Sequence, residues 1–292
     1  MGRAPSLSVI TATYNLIEAG RRDSFQRALD CVRAQGGDGI EHVIQDGGST
    51  DGTLDLIRGM TDGDAAVSVA SAPDDGLYDG MNRAVERATG DYVIFLNSDD
   101  ALADDGVLQE ARAALAADPA DFAFGGTAGP DARGEQKVSG RTNLRAVLQR
   151  MPFCHNSMLV RRAVFGSLGG HDLLFPVAAD YDFVLRMVSS GYRGLDLRRP
   201  VSAYWTRGVS ADDGAVATDY ARVWKRYYEG YPAARNLEED DFRRFYVRGH
   251  MPARLMLNVA TGRATVPAIR RAALHSLGKS LRRKAQPWRK FE

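Results

Sequence analysis

At 292 residues, with 44% hydrophobic and 26% charged side chains, the chain has the composition of an ordinary soluble globular protein: one large domain, or a domain with an appendage. Net charge is only +1, but residues 261–292 hold nine Lys/Arg against Glu292 alone, a local +8 that leaves −7 for the first 260 residues. Two cysteines exclude a disulfide framework, MGRAPSLSVI lacks the apolar core of a signal peptide, no apolar run approaches membrane-spanning length and the five histidines lack zinc-ligand spacing, so a reduced, cytoplasmic chain is expected.

Residues 7–12 read as a first strand, followed by the polar turn Thr13-Tyr14-Asn15. Phe25, Ala28, Leu29 and Val32 then mark one face of a helix. A second strand over 40–45 runs into Asp46-Gly47-Gly48-Ser49-Thr50-Asp51-Gly52-Thr53, where glycines let backbone approach a ligand and Asp46 can accept a base or ribose hydrogen bond. The same composition suits a turn and helix cap. A third strand is expected over 66–70.

The chain is organised around residues 73–100, PDDGLYDGMNRAVERATGDYVIFLNSDD. Met81, Ala84, Val85 and Ala88 continue the helical spacing set by Leu77, and Gly90 is expected to stop that helix in the left-handed conformation. Residues 92–96 are a buried parallel strand by their continuous apolar run. It ends in Asn97, Ser98, Asp99 and Asp100, at the end of a strand where ligands gather in open α/β sheets and where adjacent carboxylates suit a hard cation. A helix cap is the alternative reading. No G-x-G-x-x-G follows the first strand and no G-x-x-x-x-G-K-[ST] occurs, which argues against dinucleotide dehydrogenases and P-loop enzymes.

Taken in order, SVITATYN, IQDGGSTDGT, PDDGLYDGMNRA and FLNSDD resemble the successive motifs of family 2 glycosyltransferases, nearest to those that assemble colanic acid and similar bacterial surface polysaccharides. The likeness spans roughly residues 6 to 210. It implies the GT-A fold, an α/β domain with a mostly parallel central sheet flanked by helices over 1–212, and a helical C-terminal extension over 213–292. By the same resemblance Thr13, Asn15, Asp46 and Asp75 surround the base and ribose of a nucleotide-sugar donor. Asp79 and Arg83 face its diphosphate-sugar region, with Asn97 and Ser98 beside it. Asp99 is the metal-binding acid of an Asp-x-Asp signature, helped by Asp100, and Mn²⁺ or Mg²⁺ is the implied cofactor. Asn97 departs from that signature in its first position, and amide oxygen is a weaker cation ligand than carboxylate. Arg83 stands where Lys is more usual.

Further on, a helix is expected over 105–117 with Leu108, Ala111 and Leu115 inward, then a strand over 122–124 and a mobile, Gly-rich connection over 125–140. PFCHNSMLVRR resembles a family segment lining the acceptor side, which makes His155 and Asn156 acceptor candidates. A helix opens near 176, with Tyr181, Val184, Leu185 and Val188 on one side. By resemblance Asp180 is the general base that takes the acceptor's proton, with Asp182 on a different side of the helix. Residues 201–205 alternate like a strand, and Arg207-Gly208-Val209-Ser210 resembles a loop that closes over the donor phosphates. No Q-x-x-R-W signature or membrane span marks a processive synthase. Tyr220, Val223, Trp224 and Tyr227 lie at core spacing in a helix packing on the transferase body.

The tail reads as an amphipathic helix after Thr265 and Pro267, with Ile269, Ala273, Leu277 and Leu281 as its apolar stripe, basic residues beside it and Trp288 beyond. It is expected to dock on an anionic membrane surface; a solvated helix packed on the protein is the alternative. Together these readings describe a non-processive, inverting, metal-dependent glycosyltransferase peripheral to the inner face of the plasma membrane. It would move sugar from a nucleotide-diphosphate donor, by family frequency a UDP-sugar, to a glycan or polyprenyl-linked acceptor in surface-polysaccharide or lipopolysaccharide assembly. No nucleic-acid partner is expected. The competing readings are a sugar-1-phosphate nucleotidyltransferase, which should carry a basic Gly-rich loop where TATYNLIEAG stands, and a nucleotide-sugar-binding scaffold without activity.

Overall fold

Strand β1 (Leu7–Thr13) is buried along its whole length, and the sheet of the computed structural model is built outward from it. The structure describes residues 3–130, 136–139, 142–204 and 213–285. The chain divides into two compact units: Met1–Thr142, Phe153–Leu173 and Arg193–Arg207 form the first, and Asn143–Pro152, Leu174–Tyr192 and Gly208–Glu292 the second. The physical cause of this interleaved division is a set of hydrogen bonds tying 147–151 and Tyr181 to the C-terminal helices.

In the first unit, β2 (Ile40–Asp46), β3 (Val67–Ser71) and β4 (Tyr92–Phe95) join β1 in the order β3-β2-β1-β4, all parallel. Helices α1 (Arg22–Ala34), α2 (Thr53–Thr61) and α3 (Leu77–Arg87) connect them. Beyond β4 the sheet is mixed. β8 (Met158–Arg161) runs antiparallel to β4, β6 (Phe122–Pro130) antiparallel to β8, β9 (Gly194–Tyr204) parallel to β6, and β5 (Asp100–Leu102) antiparallel to β9. Within the Gly-rich stretch expected to be mobile, 125–130 instead extends β6, and Thr127–Pro130 pair with β7 (Gln136–Ser139). The expected donor-closing loop 207–210 lies outside the described residues.

The helical face of α1 packs as its spacing requires: Phe25, Leu29, Leu16, Ile44 and Ile57 form one buried cluster. A second cluster beneath α4 (Val107–Ala117) joins Leu108, Ala111 and Leu115 to Val9, Ile94 and Leu159. The short helix α5 (Arg162–Ser167) follows β8 directly and buries Val164 and Phe165. Each of the Val, Leu, Ile and Phe side chains contributes roughly 1.5–3 kcal/mol by burial. Surface pairs such as Arg193–Asp118 are screened by solvent and add little beside this burial.

The expected left-handed stop at Gly90 does not form. α3 already ends at Arg87, Ala88 is extended (φ −66°, ψ 141°), and Gly90 is not among the positive-φ glycines. Glycine is needed there for space: a Cβ would lie 2.6–2.7 Å from Ser8 Oγ, Ser8 N and the Leu7 carbonyl carbon.

The second unit is built on aromatic contacts. Tyr181 of α6 (Ala179–Ser189) stacks on Tyr220 of α7 (Asp213–Tyr228) with centroids 4.4 Å apart. The Tyr181 hydroxyl accepts from Trp224 Nε1 and donates to the Val147 carbonyl, both at 2.7 Å. α8 (Glu239–Arg248) starts with a reciprocal capping box between Glu238 and Asp241 and packs on α7. α9 (Ala253–Thr261) and α10 (Pro267–Ala285) complete the unit as a packed pair. No helix among the described residues is long and apolar enough to cross a membrane.

Candidate active site

The carboxyl ends of β1, β2, β3 and β4 lie along one edge of the sheet, and the loops that follow them carry most of the candidate residues. Asp46, the last residue of β2, is fully buried. Its carboxylate accepts from the N–H groups of Gly48 and Ser49 (3.2 and 3.0 Å) and from the hydroxyls of Ser49, Ser71 and Thr13 (2.5, 2.7 and 3.4 Å). Asp46 therefore organises the loop after β2 and joins it to the ends of β1 and β3.

Asn15 stitches the loop after β1 to the same place. It adopts φ 45°, a left-handed conformation that Asn tolerates better than most residues. Its N–H donates to Ser49 Oγ at 2.8 Å, its Oδ1 accepts the Thr50 N–H at 3.1 Å, and its Nδ2 donates to Glu18 at 3.0 Å. Thr13, the last residue of β1, and Asn15, just after it, thus both contact the loop that follows β2.

Of the two acids before α3, it is Asp74 that lies against the β2 loop. A Cβ on Gly47 would meet both Asp74 carboxylate oxygens at 2.8–2.9 Å, and one on Gly80 would meet Asp74 at 2.8 Å. Burial, with the charges of Asp79 and Asp46, holds the Asp74 carboxyl above its usual range against the pull of the Gly76 N–H bond and the nearby Arg83 charge. Asp75 is exposed, its N–H donates to Asp79 at 3.0 Å, and its charge acts on Arg83. Asp79 also pairs with Arg83 at 2.8 Å, and Arg83 donates to the Pro73 carbonyl at 2.7 Å. Asp79 and Arg83 are thus brought together as one ion pair at the start of α3.

At the end of β4, Thr11 Oγ1 donates to the Leu96 carbonyl at 2.8 Å and fixes where the strand turns polar. Ser98 is buried. Asp99 lies 3.6 Å from the guanidinium of Arg21, a residue that sequence reasoning missed because nothing in its local pattern sets it apart from a surface arginine. Asp100 accepts from the side-chain amides of Asn97, at 3.1 Å, and of Asn156. Burial, reinforced by Asp99, pushes the Asp100 carboxyl up to about 6 despite those two amides and Arg21. Asn156, a candidate for the acceptor side, is thereby tied to the strand-end carboxylate. His155 and Asn156 begin a single 3-10 turn, His155–Ser157, that leads into β8.

Asp180 lies in the second unit, in the first turn of α6, where it accepts from the N–H of Tyr181 at 2.7 Å. Asp182 is buried and pairs with Arg186 at 2.7 Å, which leaves it a structural ion pair.

No group of three or more His, Cys, Asp or Glu able to hold a metal occurs among the described residues. What the end of β4 offers is a carboxylate pair and the Asn97 Oδ1, a buried oxygen with no hydrogen-bond partner. These are all hard oxygen donors, too few for a complete cage. Such a set fits Mg²⁺ or Mn²⁺, which commonly bind through one or two carboxylates and take remaining ligands from water and substrate phosphates.

The family described as glycosyl transferase family 2 matches residues 8–169. A PGL/p-HBAD biosynthesis glycosyltransferase from Mycobacterium bovis is 32% identical over 190 residues, 64% of this chain and 71% of the relative. An uncharacterized glycosyltransferase from Mycobacterium tuberculosis is 35% identical over 192 residues, 64% of this chain and 70% of the relative. Among solved structures, S. aureus TarS 1–349 in complex with UDP-GlcNAc is similar in fold, with TM-score 0.62, 17% identity and coverage of 98% and 94% of the two chains. A mannosyltransferase from Pyrobaculum calidifontis in complex with GDP-Man and Mn²⁺ has TM-score 0.56, 20% identity and coverage of 98% and 82%.

Proposed function

The chain belongs to glycosyl transferase family 2, and we propose that it is a non-processive, inverting, metal-dependent enzyme that moves a sugar from a UDP-sugar to a glycan or lipid-linked acceptor. The observation that carries this reading is the gathering of the Asp46 loop, Asp74, the Asp79–Arg83 pair and the Asp99–Asp100 pair along one edge of four parallel strands. Open α/β sheets bind nucleotides at that edge.

In this reading the loops held by Asp46 and Asn15 form the wall against the base and ribose, and Asp74 joins them in place of the exposed Asp75. Arg83 and Arg21 supply positive charge for the diphosphate. Asp99 and Asp100 would hold a divalent cation, with Asn97 Oδ1 as a neutral donor. When bound, that cation supplies charge stabilisation to the departing diphosphate. Asp180 takes the proton of the acceptor hydroxyl as it attacks; this role rests on the motif resemblance around residues 176–182. Asn156 and His155 serve the acceptor side, with Asn156 also holding Asp100.

Similar folds in complex with UDP-GlcNAc, and with GDP-Man and Mn²⁺, support a nucleotide-sugar donor and a divalent cation. We assign the enzyme to the inner face of the plasma membrane, in surface-polysaccharide, lipopolysaccharide or related glycolipid assembly. A panel of UDP-, GDP- and dTDP-sugars, screened for Mn²⁺-dependent binding and slow donor hydrolysis, tests the reading. Binding of one nucleotide class with release of its sugar is expected. Binding of none, or sugar-1-phosphate as the product, would overturn it.

A further inference from the structure

The apolar stripe expected to meet a membrane is split: Ile269 and Ala273 are buried, Leu277 is half-buried and Leu281 is exposed. Ile269, Ala272 and Ala273 are buried, and so are Ser276 and Ser280 on the same side of α10. Ser280 Oγ donates to the Met251 carbonyl at 2.6 Å, and Gln149 donates to Ser276 Oγ. These bonds, to Met251 just before α9 and from Gln149 just after the 144–146 turn, accompany the packing of α10 on both elements, so this face of the helix is part of the second unit's own core.

The opposite side of α10 is different in kind. Leu274 and Leu281, seven residues apart and so on one stripe, are 54% and 52% exposed. Arg270 and Arg271 precede Leu274 by one turn, Arg282 follows Leu281, and all three are exposed. Residues 253–285 contain eight Lys/Arg and no Asp or Glu. A solvated helix face ordinarily mixes both signs of charge; a face with leucines among arginines and no acid does not.

We propose that this outward face of α10, with Leu274 and Leu281 as its apolar contacts and Arg270, Arg271 and Arg282 as its charges, docks the protein on an anionic lipid bilayer. The proposal deepens the lipid-linked acceptor reading and rests on it. Two leucines are too shallow an apolar surface for stable insertion, and the basic residues supply the remaining attraction, which weakens with salt. Attachment is therefore reversible and strongest on membranes rich in acidic headgroups. Deleting α10 would not test this, since its inner face belongs to the core; outward substitutions leave that face intact.

Co-sedimentation of the full chain with phosphatidylglycerol-containing and with pure phosphatidylcholine vesicles provides the test. The expected result is salt-sensitive binding to the anionic vesicles only. Arg270→Gln with Arg271→Gln should weaken it on the order of 25-fold, about fivefold per basic residue near the surface. Leu274→Ser with Leu281→Ser should weaken it severalfold even at low salt. Binding unchanged in both double variants, equal binding to neutral vesicles, or no vesicle binding would overturn the proposal. Loss of binding only when residues 286–292 are removed would transfer the role to the terminal segment and also overturn it. UDP binding measured on the same preparations separates the two readings: vesicle binding that fails while UDP still binds overturns the docking surface alone.

Discussion

The side-chain amide of Asn156 donates to the carboxylate of Asp100, which lies 56 residues earlier in the chain. The amide of Asn97 donates to the same oxygen, so two neutral donors hold one half-buried acid at the start of β5. Removing one of them by Asn156→Ala should cost about 1–3 kcal/mol, the range for leaving a desolvated polar group short of a partner. Asn156→Asp sets a carboxylate against Asp100 and should cost more. Urea unfolding of both variants checks the order; equal stability of the Asn156→Asp and Asn156→Ala proteins would contradict the contact.

Gly47 is where the β2 loop meets Asp74. Gly47→Ala forces the Asp74 carboxylate off its bond to the Gly76 N–H, since the added methyl would lie 2.8–2.9 Å from its oxygens. Nucleotide affinity should fall about tenfold, equivalent to about 1.4 kcal/mol, within the usual cost of overpacking. Gly59, within α2, has nothing within 4 Å of its would-be Cβ, so Gly59→Ala should leave affinity unchanged and raise stability by about 0.5–1 kcal/mol. Calorimetry and thermal unfolding of the pair separate a loop effect from a general one.

These two sites also mark where sequence reading stops. The helical faces of α1 and α3 and the first four strands were legible because burial imposes a period on the apolar residues, and Phe25, Leu29, Met81 and Ala84 lie buried as that period requires. Asp74 and Asp75 cannot be told apart that way, since what selects Asp74 is the bare backbone of Gly80, one helical turn and a half on, and of Gly47, distant in sequence. Gly90 carries the signature of a helix stop, yet its role comes from the close approach of β1. In α10 the inward face holds two serines whose hydroxyl bonds make their burial tolerable, so apolar spacing alone misplaced the helix face. Arg21 meets Asp99 only through the fold.

His42 gives acid sensitivity a specific source. It is buried on β2 within 2.9 Å of Thr11 Oγ1, and burial, with the Arg33 charge adding and Asp64 opposing, lowers its pKa from 6.5 to about 4. Between those values the unfolded chain binds the proton and the folded chain does not. The stability present above 6.5 is therefore lost as pH falls toward 4. Between about pH 7.5 and about pH 5 this one residue should cost on the order of 2 kcal/mol. His42→Gln should flatten that part of the pH profile in denaturant unfolding, and an unchanged slope would assign the loss elsewhere.

Asp180→Asn keeps the shape of the side chain but removes its basicity. If Asp180 takes the acceptor proton, transfer should drop by roughly 10²–10⁴-fold while nucleotide affinity stays within error of the wild type. Single-turnover assays with the donor identified by the panel, alongside calorimetry, would show this split. Near-normal turnover would remove Asp180 from the chemistry.

The most direct measurement is isothermal titration of UDP, and of GDP, into the wild-type chain and Asp99→Ala, each with Mn²⁺ and with chelator. The expected result is binding of one nucleotide by the wild type that requires Mn²⁺ and is lost in Asp99→Ala. Equal affinity in chelator, or full affinity in the variant, would contradict a metal-dependent donor site at the end of β4.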